Sequence, residues 1–216
     1  MFEDGAGMIE VHPPMKRMHG VGEFFLHLFT ITVGLLIALG LEHAASTVHH
    51  RHQREQAETT IRQEMRENRE HLAKVDAAIK SELDNTSAML GFLEARSKGQ
   101  DASMAGISLG FSMVHLQNAA WRTAAATGVV QYMDYDDVEK FAEAYDTQDA
   151  FNALQSQTLE NYLKLISYVA ANKDPKNLSQ ADVESAISDV RNTIVHLGAM
   201  RDLSLNLLES YDDALK

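Results

Sequence analysis

Four histidines stand close together in the first quarter of the chain and are the residues best suited to chemistry: His43, His49, His50 and His52. On a helix, His49 and His52 would share a face, as would His43 and His50. Imidazole binds zinc, copper and nickel, but no carboxylate or thiolate follows at a fixed ligand spacing. Histidine also titrates at about pH 6.5. The pattern therefore favours a pH-responsive surface over a metal site, beside the plainer interpretation that these side chains have no function.

A second cluster combines carboxylates with a histidine, since Glu64, Glu67 and His71 follow one another at i, i+3 and i+7. These positions share one face of a helix. A di-iron centre in a helical bundle would need inward Glu-x-x-His pairs on two helices, and this sequence contains no Glu-x-x-His. The spacing therefore predicts a solvated helix face.

Three aspartates could suggest calcium: Asp134, Asp136 and Asp137. They lack the other oxygen ligands and the bidentate glutamate of a calcium loop, and helix capping explains them. The sequence also contains no phosphate loop or dinucleotide motif, and its one Gly-x-Ser-x-Gly, at residues 106–110, lacks the strand-to-helix pattern that a nucleophile elbow requires. Without cysteine or a Ser-His-Asp cluster, nucleophilic catalysis has no candidate. We therefore predict a protein that is not an enzyme and that holds no cofactor or metal.

The composition limits the classes of partner and of fold. Among 216 residues, 19 are Lys or Arg and 31 are Asp or Glu, for a net charge of −12. Such a chain repels phosphate backbones, so we predict no nucleic-acid partner. The absence of cysteine excludes disulfides and thiolate metal sites. With 3 prolines and 12 glycines, few residues interrupt helices, and long helices are favoured.

An apolar segment from Phe24 to Leu41 has the length and composition of a transmembrane helix. Between Glu23 and Glu42 it contains no Asp, Glu, Lys or Arg, and twelve of its residues are Leu, Ile, Val or Phe. A helix of this length spans about 27 Å, close to the roughly 30 Å thickness of the hydrocarbon core. Its apolar side chains favour insertion by about 4–7 kcal/mol.

Two alternatives to a membrane span are open, and the orientation is nearly balanced. A buried core helix would normally carry a polar stripe, which this segment lacks. A cleaved signal peptide would have a basic start such as Lys16 and Arg17 and small residues such as 44–46, but a shorter apolar stretch of about 7–15 residues.

The orientation of the segment depends on the basic residues on its two sides: Lys16 and Arg17 precede it, and Arg51 and Arg54 follow it. Because Lys16 and Arg17 lie closer to the apolar edge, we predict an inside N-terminus and an extracytoplasmic C-terminal domain.

Small residues within the apolar segment could allow association. Gly34, Ala38 and Gly40 form a GxxxA-like arrangement, and small residues let membrane helices approach closely. Glycine is also common in membrane helices without such a role. We predict the lipid bilayer as one partner and, as the other, either a second copy of the chain in a homo-oligomer or another membrane protein.

A long helix is predicted from about 53 to 97, and it could continue the membrane helix without a break. Apolar residues recur at spacings of three and four, and Asn68 and Thr86 fill two of the core positions. The apolar positions are Ile61, Met65, Leu72, Val75, Ile79, Leu83, Leu90 and Leu93. This heptad-like stripe predicts packing against other helices.

The stretch after this helix is less regular. Residues 103–117 show no clear period and predict a turn or a short packed helix. Asn118 is a candidate cap for a helix that ends at Thr127, before Gly128. The helix carries Trp121, the only tryptophan, which we interpret as a core anchor, with an exposed binding hot spot as the alternative.

Two long amphipathic helices complete the chain. Asp136 and Glu139 have capping-box spacing at the start of the first, and Pro175 prevents it from continuing. The second begins at Ser179. Because such helices cannot bury their apolar stripes alone, they form a bundle. The sequence therefore predicts an all-α fold, in which an N-terminal transmembrane helix continues into a long helix and is followed by an antiparallel helical bundle.

On three motifs the sequence resembles a family of uncharacterised bacterial single-pass membrane proteins, a domain of unknown function. The motifs are Glu23-Phe24-Phe25 with Gly34, Ala120-Trp121-Arg122-Thr123 with Gly128 and Tyr132, and Tyr145-Asp146-Thr147-Gln148. Together with the Arg- and Glu-rich helix they cover most of residues 22–155. In this chain the histidines replace the more usual aromatic and basic exit from the membrane. The resemblance implies a helical protein of the bacterial inner membrane and implies no activity or site residue.

The sequence thus predicts three regions: a disordered tail (1–20), a transmembrane helix (21–45) and an acidic helical bundle (46–216). Our first functional hypothesis is a membrane-anchored interaction or scaffold protein. The second is an extracytoplasmic, sensor-like bundle that responds to a small ligand or to pH through a partner protein. An enzyme with an unrecognised site is a third hypothesis that no motif supports.

Overall fold

The computed structural model describes residues 20–171 and 179–216, apart from the side chains of 168–171. The predicted N-terminal tail, except Gly20, and the helix stop at Pro175 lie outside the described residues. All secondary structure within the described ranges is helical, which confirms the all-α prediction. The elements are α1 (Val21–Ser97), α2 (Ala119–Thr127), a 3₁₀ helix (Val129–Tyr132), α3 (Tyr135–Ala171) and α4 (Gln180–Ala214).

The chain divides into two compact units between His49 and His50. In the first unit, α1 contains one stretch long and apolar enough to cross a membrane, and none of that stretch is buried. The hydroxyl groups of Thr30 and Thr32 donate to carbonyl oxygens one turn earlier, at 2.9 and 2.8 Å. These bonds satisfy the hydroxyl groups within the helix, as an apolar surrounding would require.

In the second unit, α4 runs antiparallel to α1. Arg69 near the start of the bundle contacts Asp212 near the end of α4, with N–O distances of 2.5 and 3.1 Å. Glu94 near the end of α1 accepts a hydrogen bond of 2.7 Å from Arg191 near the start of α4. Both ion pairs are exposed and contribute little energy, but they define the direction of α4.

Helix α3 runs in the same direction as α1, because the chain first returns along the bundle. The return segment (98–118) leads from the end of α1 back toward residue 64 without forming a helix. The short helix α2 and the 3₁₀ helix then turn the chain into α3. The alternative of a packed helix in residues 103–117 is therefore wrong.

The heptad stripe on α1 is buried, with one shift relative to the predicted pattern. Asn68 and Thr86 occupy core positions, as predicted. After Ile79 the buried stripe includes Glu82 and Met89, whereas the predicted core residues beside them, at 83 and 90, are half-buried. The buried positions of this stripe are Ile61, Met65, Asn68, Leu72, Ile79, Glu82, Thr86, Met89 and Leu93, and Glu64 and Phe92 are buried beside it. Because the heptad continues unbroken through Glu82, a carboxylate is placed in the core of the bundle.

The ends of the helices after α1 follow the predicted signals, with two exceptions. Asn118 stands at the N-cap position of α2, but its side chain makes no capping hydrogen bond within the described part of the chain. Gly128 adopts a left-handed conformation (φ 73°) and closes α2, as predicted. Ser179 caps α4 by accepting a 3.2 Å bond from the backbone N–H of Asp182. At α3, however, the cap is Asp134, whose carboxylate accepts a 3.0 Å bond from the Asp136 backbone. The predicted Asp136 cap is therefore wrong by two residues.

Candidate functional site

The return segment is held between α1 and α3 by side chains that bond to its backbone. Gln155 on α3 accepts from the Val114 N–H at 2.9 Å and donates to the Val114 carbonyl at 3.0 Å. Asn68 on α1 makes the corresponding pair of bonds to Gln117, at 2.8 and 2.6 Å. These amides replace the neighbouring strand that an extended backbone normally requires. The segment is therefore anchored through its main chain.

Gln148 on α3 connects this anchor to α4. Its side-chain nitrogen donates to the carbonyl of Gln117 at 3.0 Å. Its oxygen accepts from Asn68 at 3.1 Å and from the hydroxyl group of Tyr211 at 2.5 Å. Burial raises the pKa of Tyr211, so this phenol remains a donor. Because Gln148 and Tyr211 are completely buried, the bonds that Asn68 and Tyr211 donate to Gln148 are formed in a region of low dielectric constant.

Glu64 on α1 fixes the point at which the return segment leads into α2. One carboxylate oxygen accepts from the Ala120 backbone N–H at 3.0 Å. The other accepts from the hydroxyl group of Tyr145 at 2.6 Å. Burial, reinforced by the adjacent carboxylate, raises the pKa of Tyr145 and keeps its proton in place as a donor. Only 8% of Glu64 is exposed, so the prediction of a solvated helix face is wrong for this residue, although Glu67 and His71 are exposed.

A cavity of about 600 Å³ lies beside Glu64, between the start of the bundle part of α1 and α2. Most of its walls are short side chains, alanine and threonine, which leave the space open. Glutamine side chains and Tyr132 complete its rim. The lining residues of α1 are Gln53, Gln56, Ala57, Thr60 and Glu64, and those of α2 include Ala119, Ala120, Thr123, Ala124 and Thr127. This volume lies within the usual range of small-molecule sites, about 300–1,000 Å³.

The four candidate histidines do not form a metal cluster in the part of the chain that the structure describes. His43 and His49 are exposed in the first unit, and His52 is exposed in the second. The ring of His50 stacks on Tyr132, with ring centroids 4.0 Å apart and an interplanar angle of 13°. Since Tyr132 lines the cavity, His50 is the histidine that the fold brings next to it.

The other predicted interaction residues divide between the two units. Gly34, Ala38 and Gly40 are all exposed, and a side chain added at either glycine would meet no atom within 4 Å. Trp121 is half-buried and stacks on Tyr145, with ring centroids 5.7 Å apart. The indole ring of Trp121 thus packs against Tyr145, whose hydroxyl group donates to Glu64.

Sequence reasoning did not identify Glu64, Gln148 or Gln155 as residues that shape this region. The available signal was Asn68, a polar residue in a core position of α1. A buried amide requires partners, and glutamines on another amphipathic helix were the natural candidates. The partner segment could not be identified from the sequence because it has no periodicity.

A second buried carboxylate lies further along α1. Glu82 accepts a 2.5 Å bond from the Ser112 backbone N–H, while its other oxygen meets no hydrogen-bond partner among the described residues. Burial raises the pKa of Glu82, and the bond from Ser112 opposes this effect. Burial, together with the charge of Glu82, raises the pKa of Tyr162 to about 12. The charged form of Glu82 is therefore costly in the folded bundle.

The substitution Glu82→Gln should remove a pH-dependent part of the stability. A carboxyl group whose pKa is raised by folding contributes its full stabilisation of the folded state at a pH below its ordinary pKa of 4.5. This contribution is lost as the pH rises through the pKa of the folded state. The free energy of unfolding of E82Q should therefore rise relative to that of the parent chain as the pH increases from 5 to 8. Urea unfolding followed by circular dichroism at both pH values measures this difference. The exposed Glu70→Gln is the matched control, and an equal response of both variants would contradict the prediction.

Comparison of the chain with known protein families, curated proteins and solved structures found no match.

Proposed function

We propose that this chain is a membrane-anchored helical interaction protein of the bacterial inner membrane, with its bundle outside the cytoplasm. The observation that carries the proposal is the apolar stretch of α1, whose large side chains are exposed throughout. Among them, Phe29, Ile31 and Leu41 are each at least 65% exposed. Such a surface needs a lipid or protein partner.

The organisation of the bundle supports the same proposal. Its buried apolar clusters use residues from Ile61 onward, and the bundle contains none of the apolar stretch. A domain that completes its own core does not need the apolar stretch for stability. The stretch is therefore free to serve as an anchor, and the acidic bundle is the part that would meet partners.

Association should proceed through the small residues of the anchor. In mild detergent, light scattering should give a particle of at least two chains, or of one chain with a co-purifying membrane protein. Gly34→Ile should shift the particle to a single chain, because the added side chain prevents close approach of helices. Leu39→Ile is the control, because Leu39 lies about 100° or more around the helix from each of the three small residues. A parent chain that is monomeric and without partners would refute the proposal.

A second candidate function is a sensor-like bundle that responds to a small ligand or to pH. Two observations favour it: the 600 Å³ cavity and the stacking of His50 on Tyr132 at its rim. A ligand in the cavity would contact Tyr132, on which the ring of His50 stacks, and this pair of rings would transmit its presence to a partner protein.

A further inference from the structure

We propose that the cavity beside Glu64 binds a small organic cation, a primary or secondary ammonium on a compact, largely apolar body. The inference deepens the second candidate function, on which it rests, because it names the class of ligand. It is independent of the proposal that the chain is an interaction protein.

The charge of the cavity wall is the first argument. Glu64 is 8% exposed and lines the cavity, and both partners of its carboxylate, Tyr145 and the Ala120 backbone, are neutral. None of the ion pairs in the described ranges of the chain involves Glu64. A buried carboxylate normally has a cationic partner, and here the adjacent open space is the place where one can bind.

Arg62, two residues before Glu64 on α1, is already committed elsewhere. Arg62 pairs with Asp137 at 3.1 Å and donates to the carbonyl of Ala214 at 2.7 Å. Its guanidinium also lies 5.1 Å from the ring centroid of Phe141. Three interactions on the side of α3 and α4 thus hold Arg62 away from the cavity.

The hydrogen-bonding capacity of Glu64 is the second argument. An ionised carboxylate offers about four lone-pair positions, and protein donors use two of them. An ammonium group carries only donors and can use the remaining positions as charge-assisted bonds. Glutamine oxygens at Gln53, Gln56 and Gln131 on the cavity wall offer further acceptors.

The remaining walls determine the body of the ligand. Ala57, Ala119, Ala120 and Ala124 present methyl groups, and the threonines add methyl and hydroxyl groups. Among the described residues that line the cavity there is no lysine, arginine or histidine, so none of them offers a counter-charge to an anionic ligand. Glu64 is the only carboxylate among them, which is too few for a divalent metal. An apolar amine therefore matches the walls better than an acid or a metal ion.

Three probes that carry the same phenyl group and different polar groups separate the effect of ligand charge from that of ligand shape. The detergent-solubilised full chain is titrated calorimetrically with 2-phenylethylamine, 2-phenylethanol and phenylacetate. The amine should bind at least tenfold more tightly than the alcohol, and phenylacetate should not bind. Equal binding of amine and alcohol would leave a ligand site but overturn its preference for cations. No binding of the amine, or binding of phenylacetate as tight as that of the amine, would overturn the inference.

Variants then assign the binding to Glu64 and to this cavity. Glu64→Gln should weaken the amine at least tenfold and leave the alcohol unchanged. Thr123→Phe fills the cavity from an exposed position and should weaken both probes, whereas Ala125→Phe, exposed on the same helix but outside the lining, should bind like the parent. If circular dichroism shows that E64Q does not fold, amine binding by T123F compared with A125F decides whether the ligand occupies this cavity. Unchanged amine binding in T123F would overturn the inference.

Discussion

Replacement of Gln148 by leucine is expected to lower the free energy of unfolding by about 3 kcal/mol or more. Leucine fills a similar volume but removes an amide whose donors and acceptor are all used. The hydroxyl group of Tyr211 would lose its acceptor, and one donor of Asn68 would lose its partner. Each buried polar group left without a partner costs about 1–3 kcal/mol. Urea unfolding followed by circular dichroism measures the change.

Two further variants test whether the network causes this loss. Gln157→Leu, at an exposed position on the same helix, should change stability by less than about 0.5 kcal/mol. Tyr211→Phe combined with Gln148→Leu should cost less than the sum of the two single changes, because phenylalanine has no hydroxyl group to leave unpaired. Strict additivity would show that Gln148 acts through packing alone.

The double substitution of Leu36 and Ile37 by arginine should abolish membrane insertion. Each arginine at the centre of a span costs about 2.5–3.5 kcal/mol, and each replaced residue loses about 0.5 kcal/mol. The sum of about 6–8 kcal/mol matches or exceeds the favourable total of about 4–7 kcal/mol for the parent segment. The core lies outside this segment, so the variant should fold and appear in the soluble fraction.

A single cysteine at Lys98 reports the location of the bundle, because the chain has no cysteine and residue 98 is exposed. In intact cells, a membrane-impermeant maleimide should label the parent and leave the arginine variant protected. A control that exchanges Leu36 for Ile and Ile37 for Leu should behave as the parent. Protection of the parent until lysis would place the bundle in the cytoplasm, and a shortened parent in the soluble fraction would indicate a cleaved signal peptide.

The sequence predicted the helices well because their signals are local. Ser97, Thr127 and Ser179 are helix boundaries in both the pattern and the structure. The predicted core stripe of α1 agrees with the structure through Ile79. Beyond that point the prediction assigned Leu83 to the core, whereas the structure buries Glu82 there. Apolar type is a guide to burial only where the core contains no polar network, and this core does.

The candidate site was harder to predict, because it depends on contacts between distant residues. Glu64 meets Tyr145 from 81 residues away, and Asn68 meets Gln148 from 80 residues away. The return segment that joins them has no period, since its backbone is satisfied by side chains from other elements. Sequence periodicity carries no information about such bonds, so the cavity between α1 and α2 could be found only in three dimensions.

The buried polar residues of α1 have a consequence for synthesis of the chain. Proteins are made from the N-terminus, so α1 exists before α3 and α4, and Arg62 precedes its partner Ala214 by 152 residues. During this interval the future core face of α1 is exposed. Asn68, Glu82 and Thr86 interrupt its apolar stripe, and polar interruptions of this kind reduce non-specific association. We expect the nascent helix to stay soluble until its partner helices emerge.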